Sequence, residues 1–431
     1  MLIRFEQQFY VLKSIKIRLF PKYVSIEPNL SKGICKKTEQ KTDVMSRLSP
    51  FDDILVVDFT HVLAGPACSY YLGLLGARII KIESDQKGDG IRYRGGTDKQ
   101  AATEGMSTAY LTQGAGKQAL ALDLTTARGR EIMERLLSKA DVFVENHLPE
   151  TMKRLNLDEQ TVTALHPHLI YCSLTGYGRG DAQGNVPAYD VNIQAASGLM
   201  DMTGTAETGP TRTGAPILDY STALSAAFAV SSALFQRGRT GQGSFIDVSM
   251  LETALTLMSS TVTDYLKTGN EPKRRGNLAN SRSPGAGNFP CQRGIISLGV
   301  NEEQHFRNLA KALGREDWLR DPRYADRQQR QAHIDQFVSE LEAELIKYDA
   351  AEVEVVLQQH GVPAARVRTM KECLDSEQIA QRNYIHSDPV TGLKTPGLPF
   401  RIDGEAFIPS SPAPRHGEDT DDIIKWLYGE N

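Results

Sequence analysis

Cysteine is scarce in this sequence and scattered along it. The chain of 431 residues contains 5 cysteines, Cys35, Cys68, Cys172, Cys291 and Cys373, and no two of them form a CxxC pair. An odd number of widely spaced cysteines argues against a disulfide-stapled domain, and no Cys/His group has the spacing of zinc ligands. We therefore expect a reducing compartment, the cytoplasm, and no metal site.

The sequence also lacks a large excess of charge and a long apolar run. Its 49 Lys and Arg residues and 53 Asp and Glu residues leave a net charge of −4, which gives no general attraction to nucleic acid or to acidic membranes. The longest apolar stretch, 213–234, is interrupted by Asp219 and several hydroxyl side chains, so no run approaches the roughly 20 residues that span a bilayer. We expect a small-molecule partner, no nucleic acid and no membrane.

Several motifs of nucleotide, metal and serine chemistry are missing as well. The sequence contains no Walker loop, no HExxH and no GxSxG elbow. The glycines of GYGRG, residues 176–180, follow a predicted strand but lack the GxGxxG spacing of a dinucleotide site. These absences disfavour nucleotide hydrolysis, zinc-dependent hydrolysis and dinucleotide redox chemistry.

Apolar runs that alternate with helical patterns dominate the first half of the chain. Buried strands are predicted at ILVVDFT (54–60), ARIIKIE (77–83), QALALDL (118–124), DVFVEN (141–146) and LIYCSLTGYG (169–178). The first two runs enclose a small-residue turn, HVLAGPACS, and a helical segment, YYLGLLGA, which together predict a parallel βαβ unit. The predicted fold class is α/β, with a large Rossmann-like open parallel-sheet domain and a smaller α/β domain.

Changes in composition divide the chain into four predicted segments. Residues 1–48 are a basic extension; its first 44 residues are either a targeting presequence, which would place the protein in the mitochondrial matrix, or a disordered or upstream-translated stretch. A large α/β domain is expected over 49–270 and a small domain with a mobile Gly-rich loop over 271–370. Residues 371–431 are expected to return and complete the large domain.

The carboxyl ends of the predicted strands indicate where a ligand would bind. In open parallel sheets, ligands bind just beyond these ends. Three segments follow such strands with polar or glycine-rich residues: 61–66, 145–149 and 175–180. We expect them to form the walls of one site.

Asp219 is an isolated acid between the apolar run PIL and a long segment of Ala, Ser, Thr and Leu. One interpretation is that its side chain caps the helix that follows, because Asp is a preferred N-cap residue. The other is that the same position, at the positive end of a helix beside small residues, suits a carboxylate nucleophile. The two roles are compatible, and the residue type alone does not decide between them.

Several stretches, taken in order, resemble the class III CoA-transferases, also called the formyl-CoA transferase or carnitine CoA-transferase (CaiB/BaiF) family. The resemblance covers residues 50–428 and rests on VVDFTHVLAGPACSYYLGLLGARIIKIES, ADVFVENHLPETMKRL, LIYCSLTGYG, AYDVNIQAASGLMDMTG, PILDYSTA and HGEDTDDII. It implies an acyl-CoA:carboxylate CoA-transferase in which Asp219 forms covalent aspartyl intermediates. It also implies a homodimer of interlocked rings and no metal or redox cofactor.

The resemblance carries over a set of residues that would contact CoA or its thioester. These predicted contacts are Val62, Leu63, Ala64, Leu122, Asp123, Leu124, Thr125, Asn146, His147, Leu148, Arg154, Val186, Pro187, Ala188 and Tyr189. A Gly-rich loop that closes over the intermediate is implied at Ser283, Pro284, Gly285, Ala286 and Gly287, since glycine gives such a loop its backbone freedom.

Two alternative functions and the identity of the acids stay open at this point. An acyl-CoA racemase or isomerase of the same fold typically has a His-Asp pair where this chain has Tyr189 and Asp190. A non-catalytic CoA-binding protein would use Asp219 only as a cap. The acceptor is expected to be a small acid such as oxalate, formate or succinate, and a second carboxylate is expected to pair with Arg212, Arg282 or Arg293.

Overall fold

A computed structural model describes residues 49–180, 182–279, 281 and 283–429 of the chain. The predictions made for residues 1–48 and for Arg282 lie outside these residues. Within the described part, a central parallel sheet carries helices on both faces, as the strand and helix patterns predict.

The central sheet has six strands, all parallel, in the spatial order β3-β2-β1-β4-β5-β6. This is the doubly wound order, which reverses direction between β1 and β4. The strands are β1 Leu55–Phe59, β2 Arg78–Ser84, β3 Lys117–Leu122, β4 Val142–Glu145, β5 Ile170–Thr175 and β6 Ser244–Ser249.

Helices connect the strands and cover the sheet. In the first part of the chain they are α1 Ala64–Leu74, α2 Lys99–Thr103, α3 Thr108–Gly114, α4 Ala127–Leu137, α5 Pro149–Leu155, α6 Glu159–Leu165, α7 Asp190–Ala196, α8 Leu199–Met202, α9 Ile217–Thr240, α10 Met250–Leu257 and α11 Ser259–Thr268. The turn predicted after β1 is shorter than expected, because α1 already begins at Ala64.

Successive side chains of each strand point to opposite faces of the sheet, and each face carries its own apolar core. On one face, Val57 of β1 packs with the apolar side of α4. On the other face, Val56 packs with α1 and with the small residues of α9, among them Ala223 and Ala226. Small side chains on α9, such as that of Ala223, let this helix lie close to α1.

Helix α9 corrects the expectation that no apolar run approaches the length of a membrane span. It has 24 residues and a mean hydropathy of 1.3 over its most apolar window, so by length and composition alone it could cross a bilayer. Core helices of soluble proteins meet the same criterion, so one such helix is weak evidence for a membrane span. Its packing on α1 and the sheet explains the small apolar residues of one of its faces.

A third apolar core lies in the last third of the chain, around a three-stranded antiparallel sheet, and includes Trp318, Phe337 and Leu341. The strands are β7 Ala286–Pro290, β8 Ile295–Gly299 and β9 Ala364–Arg366, and the helices are α12 Glu303–Ala312, α13 Arg327–Ala332, α14 Ile334–Leu345 and α15 Ala350–Gln359. The separate core matches the position of the predicted small domain, and the four-segment division remains a prediction.

The end of the chain comes back to the first sheet. It contains α16 Met370–Leu374, α17 Glu377–Gln381, the two hairpins β10 Ile385–Ser387 with β11 Lys394–Pro396 and β12 Arg401–Ile402 with β13 Glu405–Ala406, and α18 Thr420–Tyr428. Ile423 and Leu427 of α18 join the core beneath α4. The backbone amides of Ala119 and Ala121, on edge strand β3, donate to the side chains of Asp419 and Thr420 at 2.8 and 3.0 Å.

Candidate active site

The largest set of predicted site residues surrounds one cavity at the carboxyl ends of β1, β4 and β5. The cavity has a volume of about 290 Å³ and lies where the strand order of the sheet reverses, the usual ligand position in such folds. Its lining residues are His61, Val62, Leu63, Ala64, Asn146, His147, Leu148, Thr151, Leu174, Thr175, Gly176, Gly184, Val186, Pro187, Ala188, Tyr189, Asp219 and Met250.

The turn after β1 forms one wall of the cavity and is held by the segment after β4. The amide of His61 donates to Oδ1 of Asn146 at 2.8 Å, and Nδ2 of Asn146 donates back to the carbonyl oxygen of His61 at 2.9 Å. Glu145, the last residue of β4, accepts from the amide of His147 at 2.8 Å. Side chains therefore fix the backbones of both walls.

Asp219 also lines the cavity, and Asp190 accepts a hydrogen bond from its backbone amide. Asp219 is the third residue of α9 and is half-buried, and its side chain makes no capping bond; the N-cap position is Pro216. The buried carboxylate of Asp190 accepts instead from the amides of Leu218 at 2.7 Å and Asp219 at 3.3 Å. The capping interpretation of Asp219 is therefore wrong, because Asp190 satisfies the amides that it was expected to bind.

The carboxyl group of Asp219 is kept unusually basic for its residue type. Burial raises its pKa, and the nearby negative charge of Asp190 raises it further, to about 7. Both effects disfavour the ionised form in the cavity. A carboxyl group of this kind is ionised in part at neutral pH. Its more basic carboxylate is a stronger nucleophile toward an acyl carbon than that of an ordinary Asp.

Two neutral histidines face the cavity near the turn. The rings of His61 and His147 lie with their centroids 4.8 Å apart. Burial lowers the pKa of both, to about 3 for His147. Nδ1 of His61 is buried and has no partner within the described residues. The wall beside the turn is therefore polar and uncharged, which suits an amide or a thioester better than a free anion.

Some of the residues implied by the resemblance lie elsewhere. Residues 122–125 run from the last residue of edge strand β3 toward α4 and do not line the cavity, and Arg154 is exposed in the last turn of α5. Residues 283–287 are buried beside the third core, where Ala286 and Gly287 already belong to β7 and the hydroxyl of Ser283 donates to the carbonyl oxygen of Val300. Their predicted roles in CoA binding and closure remain predictions.

Four lining residues were not predicted: Thr151, Leu174, Gly184 and Met250. Leu174 and Met250 lie at the carboxyl ends of β5 and β6, so the rule that selected the other walls applies to them once the bounds of these strands are known. The rule does not reach Thr151 and Gly184, because one lies within α5 and the other in the long connection before α7.

Arg212 and Arg293, two of the three arginines expected to pair with a second carboxylate, do not line the cavity. Arg212 is exposed, and Arg293 pairs with Asp349 at 2.7 Å. Among the described residues that line the cavity, no side chain is a lysine or an arginine.

Comparisons with known proteins point to one family. Residues 51–420 match the family model of CoA-transferase family III. The chain is 30% identical to the succinyl-CoA:glutarate CoA-transferase of Mus musculus over 88% of its own length and 86% of the relative's. It is 33% identical to the acetyl-CoA:oxalate CoA-transferase of Acetobacter aceti, over 82% and 90% of the two chains.

A solved structure gives the same result for the fold. The chain superimposes on a CaiB/BaiF family protein from Brucella suis with a TM-score of 0.79, at 28% identity, over 88% of this chain and all of that one. Since the family model covers most of the sequence, the chain belongs to CoA-transferase family III, the class III CoA-transferases, whose substrates are CoA thioesters.

Proposed function

We propose that this chain moves CoA from an acyl-CoA donor to a small carboxylic acid, through covalent aspartyl intermediates at Asp219. The observation that carries the proposal is the position of Asp219 on the wall of the same cavity as the turn after β1, with a pKa raised to about 7. A nucleophile, a cavity and walls of uncharged polar groups are the parts that acyl transfer needs.

The proposed reaction begins when a carboxylate oxygen of Asp219 attacks the carbonyl carbon of the donor thioester. The C–S bond breaks, CoA leaves as a thiolate, and a mixed anhydride of Asp219 and the acyl group remains. The thiolate then attacks the aspartyl carbonyl carbon, which releases the donor acid as a carboxylate and leaves an aspartyl-CoA thioester. An anhydride and a thioester both retain the acyl-transfer potential that hydrolysis would dissipate.

The acceptor acid completes the cycle. Its carboxylate attacks the aspartyl carbonyl carbon, expels the CoA thiolate and forms a second mixed anhydride. The thiolate attacks the acceptor's acyl carbon, forms the new acyl-CoA and returns Asp219 as a carboxylate. In this arrangement the turn at Val62, Leu63 and Ala64 and the segment at Asn146 and His147 contact the thioester end of CoA.

The racemase alternative receives no support from the position of Asp190. A base that removes a proton beside the thioester needs a free carboxylate, whereas both oxygens of Asp190 accept hydrogen bonds: one from backbone amides of α9 and the other from the side-chain Nε2 of Gln194. Tyr189, which precedes it, is an exposed lining residue. The transferase reaction needs only the one free carboxylate.

Dicarboxylic acids and oxalate are the first acceptors to test, because the names of the relatives specify succinyl-CoA, glutarate and oxalate. The test is a panel of acetyl-CoA, formyl-CoA and succinyl-CoA as donors against oxalate, glutarate, succinate and formate as acceptors, followed by chromatography of the new acyl-CoA. We expect transfer with at least one pair. If CoA thioesters bind and no pair reacts, the transferase proposal fails.

We also propose that two copies of the chain form a homodimer, since α9 exposes a row of large apolar side chains. Phe228 and Phe235 are 75% and 71% exposed, and Leu224 lies one turn before Phe228 on the same side of the helix. Large apolar patches of this kind mark protein interfaces. A second copy of the same chain would cover this face without a different partner protein.

The change F228D/F235D is expected to convert the dimer into a monomer, because two carboxylates would be buried without partners at the interface. Light scattering coupled to gel filtration measures the mass. Val390→Asp is the matched control, since Val390 is 82% exposed at the tip of the β10–β11 hairpin. A natural chain that is already monomeric at micromolar concentration would contradict the dimer, and so would an F228D/F235D variant that stays dimeric.

A further inference from the structure

Val62, on the wall of the cavity, has a backbone conformation that its side chain disfavours. Its φ is 67°, in the left-handed region. The other described non-glycine residues with positive φ are Asn156, Asn383 and Asp403, types that tolerate this region, whereas a β-branched residue does not. A conformation of this kind persists only when the surroundings impose it.

Asp89 supplies the contact that imposes it. The amide of Val62 lies 3.2 Å from each carboxylate oxygen of Asp89. Asp89 is itself buried, with 5% of its surface exposed, and its own amide donates to Glu83 at 2.8 Å. A charged acceptor held in this way makes a strong hydrogen bond to a backbone amide.

Lys81 binds the same turn from the other side. Its ammonium group lies 3.2 Å from Asp89 and donates to the carbonyl oxygen of Thr60 at 2.8 Å, and only 1% of the residue is exposed. The backbone on both sides of His61 is therefore bound by one buried ion pair. Asn146 binds the amide and the carbonyl of His61 itself.

The buried ion pair belongs to a larger group of compensated charges. Lys81 and Asp89 are flanked by Lys117 with Asp58, at 2.8 Å, and by Arg92 with Glu83, at 2.6 Å, and all of these residues are buried. Three acids balance three bases. Buried pairs of this kind are costly to break and add little net stability compared with apolar packing, so their position beneath the cavity wall points to a role in geometry.

We propose that Asp89, backed by Lys81, is a positioning residue that holds Val62 in its left-handed conformation and so fixes the wall against which the acyl-CoA thioester binds. The inference rests on the proposed function, because it assigns the turn to thioester binding. Asp89 does not line the cavity and acts through the backbone of Val62. Its effect belongs in the affinity for the CoA thioester more than in the chemical step.

The first test is Asp89→Asn, which keeps the shape of the side chain and removes its charge. We expect the KM for acyl-CoA to rise about tenfold while kcat changes by less than about threefold, since a displaced wall weakens binding of substrate and transition state alike. The matched control is Asp141→Asn. Asp141 binds the amide of Leu55, at the opposite end of β1, and pairs with Arg237 at 2.7 Å, so D141N lowers stability without moving this KM.

The second test is rescue by Val62→Gly, because glycine adopts positive φ without help. D89N should raise the KM for acyl-CoA about tenfold in the natural chain and less than about threefold in a chain that already carries V62G. Effects that are not additive in this way are expected when two residues are coupled. A merely structural role for Asp89 would give the same factor in both backgrounds, and would thereby overturn the proposal.

If D89N does not fold, the melting temperatures of V62G and V62A test whether the backbone at position 62 is strained. We expect V62G to melt several degrees above V62A, since alanine keeps the left-handed penalty that glycine lacks. A V62A variant as stable as V62G would show that there is no strain for Asp89 to hold. A natural chain without transferase activity on any donor rejects the proposed function instead, so the two failures are distinguishable.

Discussion

Asp219→Asn abolishes CoA transfer: we expect the rate to fall at least about 10³-fold, because an amide cannot form the anhydride and losing a nucleophile costs that much or more. The measurement is formation of new acyl-CoA with the best donor and acceptor pair. Binding of CoA, followed by calorimetry, should change little. Hydroxylamine added with acyl-CoA should trap an aspartyl hydroxamate at Asp219 in the natural chain and none in D219N.

The same variant should not be less stable than the natural chain. The pKa of Asp219 is raised to about 7 in the folded protein, above its ordinary value, so the folded state binds the proton more tightly than the unfolded state. The stability contributed by the protonated form is full below pH 4 and is lost as the pH rises through 7. D219N removes that loss and should melt higher than the natural chain at pH 8.

Glu150→Gln is the matched control for charge at the start of a helix. Glu150 lies in the first turn of α5, beside lining residue Leu148, and is exposed. Its change should leave transfer within about twofold, as most surface substitutions do. Full transfer activity in D219N, or the same loss in E150Q, would contradict the assignment of the nucleophile.

Asp190→Ala is expected to reduce kcat about 10²-fold, because the amide of Asp219 loses its acceptor and a shift of about 1 Å in a reacting group costs that much. It should also lower the free energy of unfolding by about 1 kcal/mol, the usual cost of a lost helix cap. The measurements are kcat with saturating donor and a thermal melt.

Asp190→Asn separates the cap from the charge. Asparagine keeps an oxygen that accepts from the amides of Leu218 and Asp219, and it removes the negative charge that helps to raise the pKa of Asp219. The rate of the natural enzyme should rise with pH through about 7, as Asp219 ionises. In D190N this midpoint should move toward lower pH while kcat stays close to the natural plateau. An unchanged midpoint of the pH–rate profile in D190N would show that Asp190 acts only by holding the backbone of Asp219. A D190A variant with the kcat of the natural enzyme would contradict that role as well.

The sheet was predictable because its strands are buried on both faces. Runs such as ILVVDFT and ARIIKIE have the continuous apolar character that only doubly covered strands show, and β1 and β2 occur where these runs do. The walls of the cavity followed from one rule, that ligands bind at the carboxyl ends of such strands. His61, Asn146 and Thr175 line the cavity for this reason.

The residue that accepts from the first amides of α9 was not predictable, because it is distant in the sequence from the start of that helix. Asp190 lies 29 residues before Asp219, and only the folded chain brings its carboxylate to the amides that Asp219 was expected to bind. The surroundings of the glycines at 285 and 287 were not predictable from residue type either, because glycine permits a mobile loop and also permits the close approach of a strand to its neighbours. Here Gly287 belongs to β7.

The edge of the central sheet has a consequence for how the chain is made. Unpaired amides on an edge strand are a template for pairing with other chains, and those of Ala119 and Ala121 are occupied by Asp419 and Thr420, 300 and 299 residues later. The ribosome must therefore add about 300 residues after β3 before these amides can be covered. We expect a chain truncated before Asp419 to leave this edge strand unpaired and to aggregate, rather than to fold as a shorter enzyme.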